Sequence, residues 1–185
     1  TCARALRHEL PFVREVALNN LPVPLPGPLL KLLPGLLADA NVDVQIAACR
    51  AAEKVKAPVL REPVLRALAS AREHWLLNAA ANAAWALGAE ADLIRVLVSR
   101  LDEEGMTADC LGYLASAILS DLSSHSSPTR EMLGVEAGRA CQAAWRKFLR
   151  ERGAELRAGK RFSLTDPAVP LAELFPKFTF DPPKR

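Results

Sequence analysis

The sequence predicts an all-α chain wound as an α-solenoid of about four helix pairs, with a further helix and an extended tail after them. Three observations carry this. Half of the 185 residues are apolar while aromatics make up only 5%; Ala and Leu dominate, and both are strong helix formers. An apolar pattern recurs every 31–32 residues, a period that suits a two-helix unit stacked on copies of itself. The links between apolar segments are short and rich in Pro, Gly, Asn or Asp, residues that interrupt helices.

The repeat fixes the second helix of each pair. Val13-Arg14-Glu15-Val16-Ala17 aligns with Val44-Gln45-Ile46-Ala47-Ala48, then with Leu76-Leu77-Asn78-Ala79-Ala80, then with the segment around Cys110-Leu111-Gly112-Tyr113-Leu114-Ala115. In this register Ala17, Ala48, Ala80 and Leu111 are equivalent, as are Leu21, Ala52, Ala84 and Ala115. Val55, Leu87 and Ile118 extend the stripe in the last three units. Spacings of three and four place these residues on one helix face.

A first helix precedes each of these. The earliest ends near His8, cut short by the start of the chain, and the others span about 28–38, 61–71 and 91–102. The first unit is therefore read as truncated, and a chain that begins at Thr1 without Met as a fragment or processed form. Pro34-Gly35 lies inside the second of these helices and should kink it, because Pro removes a backbone donor and crowds the preceding turn. Asp43 stands where an N-cap belongs. Pro22-Val23-Pro24-Leu25-Pro26-Gly27-Pro28 is a stiff extended connector. The links at Asn41 to Asp43, Gly88 to Ala91 and Glu103 to Thr107 have turn composition.

Leu36-Leu37-Ala38-Asp39, Asp43-Val44-Gln45, Ala47-Ala48 and Ala51-Ala52 together resemble the HEAT-like family of short bacterial repeats, sometimes called lyase-type HEAT repeats. The likeness covers residues 3–122. It implies a right-handed superhelix whose second helices line a concave surface, an armadillo-type arrangement used for protein binding. Glu73-His74-Trp75 and Gly105-Met106-Thr107 depart from the Asp-x-Val pattern, so the inter-helix turns of the third and fourth units should differ. Some relatives are named for bilin lyase activity, but a repeat alone does not carry an activity.

The chain divides into HEAT-like repeats over 1–122, a Ser-rich loop over 123–134, a basic helix over 135–159 and a Phe/Pro-rich tail over 160–185. On the basic helix Ala140, Ala144, Trp145, Phe148 and Leu149 share one side, and Gly153 either ends the helix or divides it from a short extension over Ala154–Ala158. Between Arg139 and Arg161 stand eight Arg or Lys and two Glu, a local balance of +6 in a chain whose net charge is +3. The last 24 residues hold four of the six Phe. Since a solenoid must hide the apolar end of its last unit, the tail is expected to cap it.

Residues opposite the apolar stripe are the candidate partner contacts: Glu15 and Asn19, Arg50 and Glu53, Asn78, Asn82 and Trp85, then Asp109, Tyr113 and Ser116. In the third unit Trp75, Asn78, Asn82 and Trp85 share a face. Asn is a poor residue for mid-helix because its amide competes for backbone hydrogen bonds. Two of them flanked by Trp suggest a recognition surface, where Trp and amides commonly anchor. The competing reading buries both Trp in the core and uses the Asn pair to link neighbouring helices. On the basic helix, Arg139, Arg146, Lys147 and Arg150 are candidate contacts for nucleic-acid phosphates. The same pattern could lie on an anionic membrane with its aromatics inserted, or be an ordinary solvated face.

Catalysis finds no constellation. His8, His74 and His125 lie in different units and at no metal-ligand spacing with Cys or a carboxylate. No Walker loop, GxSxG elbow, GxGxxG turn or HExxH helix occurs. No catalytic, cofactor-binding or metal-binding residue is assigned. The four Cys are widely spaced without a CxxC pair, and Cys49 and Cys110 read as small apolar fillers in helices, which suggests a reducing compartment and a cytoplasmic location. No apolar run reaches the roughly 18 residues of a membrane span, and no signal peptide is visible. The sequence therefore points first to a protein–protein interaction or scaffold module that is not an enzyme. A nucleic-acid-binding module using the basic helix is the second possibility, and a lyase-type accessory enzyme the third.

Overall fold

The computed structural model describes residues 1–100, 135–163 and 166–169, except for the side chains of residues 98, 135–142, 145 and 157. All regular elements among the described residues are helical. They are α1 (Cys2–Ala5), α2 (Pro11–Asn19), α3 (Gly27–Leu30), α4 (Leu33–Leu36), α5 (Val42–Val55), a 3₁₀ turn (Pro58–Leu60), α6 (Arg61–Ser70), α7 (His74–Ala86), α8 (Glu90–Ser99) and α9 (Val135–Arg157). The chain forms two compact units, Thr1–Arg100 and Leu101–Arg185. No described helix is long and apolar enough to cross a membrane.

In the first unit the helices meet in a regular order. The longer helices α2, α5 and α7 lie side by side, α2 against α5 and α5 against α7. On the other side α4 packs on α5 and α6 on α7, while α1 touches α3 and α6 touches α8. The repeat stripe lies in the contacts: Ala17, Ala48, Ala52, Ala80, Ala84 and Leu87 are buried, and Leu21 and Val55 are half-buried. Small residues dominate α5 (Ala47, Ala48, Ala51, Ala52) and α7 (Ala79, Ala80, Ala81, Ala83, Ala84). Their size lets the two helices approach closely. Leu33, Leu60, Val64, Leu68 and Leu77 fill the space behind them and are fully buried. Leu111, Ala115 and Ile118 lie outside the described residues.

Three local expectations need correction. Pro34 does not kink a single helix; the chain breaks into α3 and α4 at Lys31 and Leu32. Pro34 cannot donate to the Leu30 carbonyl one turn back, and the chain responds by tightening, with Leu32 N donating to Leu29 O at 3.0 Å and Gly35 N to Leu32 O at 3.2 Å. Pro34 thus falls in the first turn of α4, where a missing donor costs nothing. The N-cap of α5 is Asn41, not Asp43: Asn41 Oδ1 accepts from Asp43 N at 3.1 Å and Val44 N at 3.2 Å. Asp43 instead places its charge in the first turn, which the helix dipole favours. Finally, α9 runs straight through Gly153 to Arg157, and the chain turns away at Gly159.

The helix ends are satisfied by backbone geometry. After α7, Gly88 at φ +67° lets Gly88 N reach Trp85 O at 2.9 Å and Ala89 N reach Ala84 O at 3.0 Å, the paired bonds of a Schellman turn. Gly159, at φ +87°, does the same for α9 through Gly159 N to Leu156 O and Lys160 N to Glu155 O. α5 ends on Lys56 at φ 52°, a left-handed conformation that a side chain disfavours.

Two arginines tie the units of sequence together. Arg14 on α2 grips Asp39, before α5, through Nε to Oδ2 at 2.9 Å and Nη2 to Oδ1 at 2.7 Å. Its Nη1 also donates to the carbonyls of His8 and Glu9. Arg100, 2% exposed, donates to the carbonyls of Leu68 and Ala71 at the end of α6. A cation there answers both the orphan carbonyls and the negative end of the helix dipole.

Candidate binding surface

α7 is the most apolar of the repeated helices, yet it turns two tryptophans outward. Its buried residues, from Leu76 to Ala84, face α5 and α6. Trp75 is 67% and Trp85 41% exposed, Asn82 is exposed and Asn78 half-buried. At 100° per residue these four positions lie within one quadrant of the helix, away from the core. The reading that buries both Trp is thus set aside. So is the idea that the Asn pair links neighbouring helices: Asn82 Nδ2 donates to Asn78 Oδ1 at 2.8 Å, one turn along the same helix. That bond fixes both amides and leaves the Asn78 nitrogen and the Asn82 oxygen outside it, one donor group and one acceptor. Trp75 is further steadied by the His74 ring, edge-on at 5.0 Å.

The neighbouring helices continue this face with a different chemistry. On α5, Arg50 is exposed and Glu53 half-buried. On α2, Glu15 is half-buried and Asn19 exposed. Sequence reasoning passed over Phe12, 71% exposed, and Val16, 42% exposed. They stand on α2 opposite the buried Ala17 and Leu18, and their spacing of four with Asn19 three further on is the signal that could have found them. Asp109, Tyr113 and Ser116 lie outside the described residues.

The basic helix α9 buries the described part of its apolar side. Phe148 is 2% exposed and meets Phe162 edge-on at 5.1 Å between ring centroids. Leu156 and Val169 are buried as well. Lys160 lies over the Phe162 ring, its Nζ 4.8 Å from the centroid, and donates to Glu155. Arg152 Nη1 also donates to Glu155, at 2.9 Å. The hydrogen bonds from Lys160 and then Arg152 hold the Glu155 carboxyl below its ordinary range, and the Glu155 bond raises Arg152 in turn. On the other side Lys147 and Arg150 are exposed and Arg146 is half-buried. Arg139 belongs to the helix, but its side chain lies outside the described residues, as does that of Trp145.

No group of His, Cys, Asp or Glu among the described residues could hold a metal ion. An open groove between α6 and α8 is lined by Val59, Leu65, Val96 and several charges. Those charges are largely committed: Arg66 to Glu62 at 3.2 Å, Arg95 to Asp92 at 2.7 Å, and Arg61 to the Leu87 carbonyl at 2.9 Å. Cys49 is fully buried in α5, and burial pushes its thiol up to about 12, the opposite of an activated nucleophile. Cys49 is a filler, as its Ala-rich surroundings suggest. Compared with protein-family models, with curated proteins and with solved structures, the chain matches none.

Proposed function

We propose that the chain is a HEAT-like α-solenoid, a right-handed stack of about four helix pairs, that serves as a protein–protein interaction or scaffold module. The order of helix contacts supports the stacking, since the second helices α2, α5 and α7 adjoin in series, and among the first helices α1 touches α3 and α6 touches α8. The partner docks across the outward faces of α2, α5 and α7.

The observation that carries the binding reading is the exposed pair Trp75 and Trp85 flanking the bonded Asn78 and Asn82. Leaving Trp75 mostly and Trp85 partly in water forgoes apolar burial of about 25 cal/mol per Å², and Trp is among the residues enriched where binding energy concentrates. Arg50 and Glu53 beside them supply charge for orientation. The accessory-lyase reading gains nothing from the described residues, since no nucleophile or acid–base pair converges on this face.

The test is capture of binding proteins on the wild-type chain beside the triple variant Trp75→Ala/Asn82→Ala/Trp85→Ala, with the melting curves of both. A protein held by the first and lost from the second at matching stability supports the reading. Identical captures, or a variant that has unfolded, would overturn it.

A further inference from the structure

We infer that the outward side of α9 is a second binding surface, one that grips the phosphate backbone of duplex nucleic acid. The inference stands on the C-terminal unit alone and does not depend on the α7 face. Along α9 the positions 139, 143, 146, 147, 150, 154 and 157 recur at spacings of three and four and fall on one side of the helix. They hold five cations (Arg139, Arg146, Lys147, Arg150, Arg157), two alanines and no carboxylate. From 139 to 157 the row spans about 27 Å. The alanines, both exposed where they interrupt the row, leave room for a partner's backbone to come close. Lys147 and Arg150, exposed near its middle, carry the argument.

Two polyanions would suit such a row, nucleic acid and an anionic membrane, and the packing of α9 separates them. A helix that lies in a membrane interface needs its apolar side to enter the lipid. Among the described side chains that side is engaged: Phe148 is enclosed against Phe162, and Leu156 is buried, as is Val169 beyond the helix. Of the acids of α9, Glu155 stands on the opposite side, engaged with Arg152 and Lys160, while Glu136 stands one turn before Arg139 and exposed Glu151 one turn after Lys147, at the start and on the edge of the row. Among the described side chains of the row, Lys147 and Arg150 face water beside alanine and without an apolar wedge, which suits phosphates held at the surface of a duplex. No base-reading geometry is implied, so binding is indifferent to sequence.

The experiment is fluorescence anisotropy of a labelled duplex of about 20 base pairs with the full chain at about 50 and 200 mM salt, where phosphate contacts weaken steeply. Five neutralised phosphates would give a log–log salt slope near −4.5, a loss of roughly 500-fold across that range. Lys147→Glu/Arg150→Glu should abolish binding at the lower salt. Lys147→Gln/Arg150→Gln should reduce the slope by about 2 units. Both pairs are exposed, and a melting curve matching wild type certifies each variant. Absence of binding at the lower salt overturns the inference. So does binding that both variants retain. Co-sedimentation with vesicles of phosphatidylserine, in the absence of duplex binding, would overturn it in favour of a membrane.

Discussion

Arg14 and Asp39, twenty-five residues apart in sequence, form a two-point ion pair at 2.9 and 2.7 Å with their side chains only 15% and 11% exposed. The pair locks α2 to the turn that launches α5, and Asp39 is held from the other side as well. Its Oδ1 accepts from Asn41 N at 2.9 Å, and its carbonyl accepts from Gln45 Nε2 at 2.6 Å. One carboxylate thereby sets both the approach of the first pair and the N-terminal turn of the second.

Breaking this pair should therefore cost more than an exposed ion pair does. Asp39→Ala and Arg14→Ala are each expected to lower stability by about 2–3 kcal/mol, because each strands a mostly buried charged partner. The double variant should cost less than the sum, since one interaction is lost twice. Urea unfolding of the four proteins measures this. A loss below about 0.5 kcal/mol in either single variant would place the pair among ordinary surface contacts.

Lys56 closes α5 at φ 52°, where Gly is at ease and a side chain is not. Lys56→Gly should stabilise the chain by about 1 kcal/mol. Gly88→Ala is the mirror test. An added methyl there meets only Arg61 Nη2, at 3.7 Å, so space is available and only the φ of +67° resists. It should destabilise by about 1–2 kcal/mol. Shifts in the unfolding midpoint of the two variants, opposite in sign, check the pair.

Cys49 predicts a pH dependence. Its thiol is raised from 9.0 to about 12 by burial, so the folded state holds the proton where the unfolded chain releases it. The stability this proton contributes is complete below pH 9 and declines as pH climbs from 9 toward 12. The advantage of wild type over Cys49→Ala should shrink across that interval by about 1.4 kcal/mol per pH unit. At neutral pH, a thiol reagent should label exposed Cys2 and spare Cys49 until the chain unfolds. A constant difference between the two proteins from pH 8 to 11 would contradict the burial argument.

The parts of this architecture written in local periodicity were legible in the sequence. Ala48, Ala52, Ala80 and Ala84 recur at a fixed interval, and all four are buried where α5 and α7 pack. Cys49 was legible for the same reason. Local competition was harder to read. Asn41 and Asp43 are both good caps two residues apart, and only the backbone decides which stands at the helix entrance. Gly153 read as a stop or a divider; the buried Phe148 and Leu156 on either side of it hold the helix together through it. Long-range partners left no mark on periodicity. Neither Arg14 with Asp39 nor Arg100 with the end of α6 could be paired from spacing, because nothing short of the fold brings them together. The tryptophans were ambiguous for a physical reason too: an indole is large enough to anchor a core or an interface, and sequence does not distinguish the two.

The central claim, that the outer face of α7 is a surface held open for a partner, is tested most directly by the equilibrium unfolding of Trp75→Ala/Trp85→Ala. With the two rings 67% and 41% exposed, the double variant is expected to lose no more than about 1 kcal/mol, as surface substitutions do. A loss of about 3–5 kcal/mol or more, the cost of emptying a core aromatic site, would show that the rings hold the fold together and that the binding surface lies elsewhere.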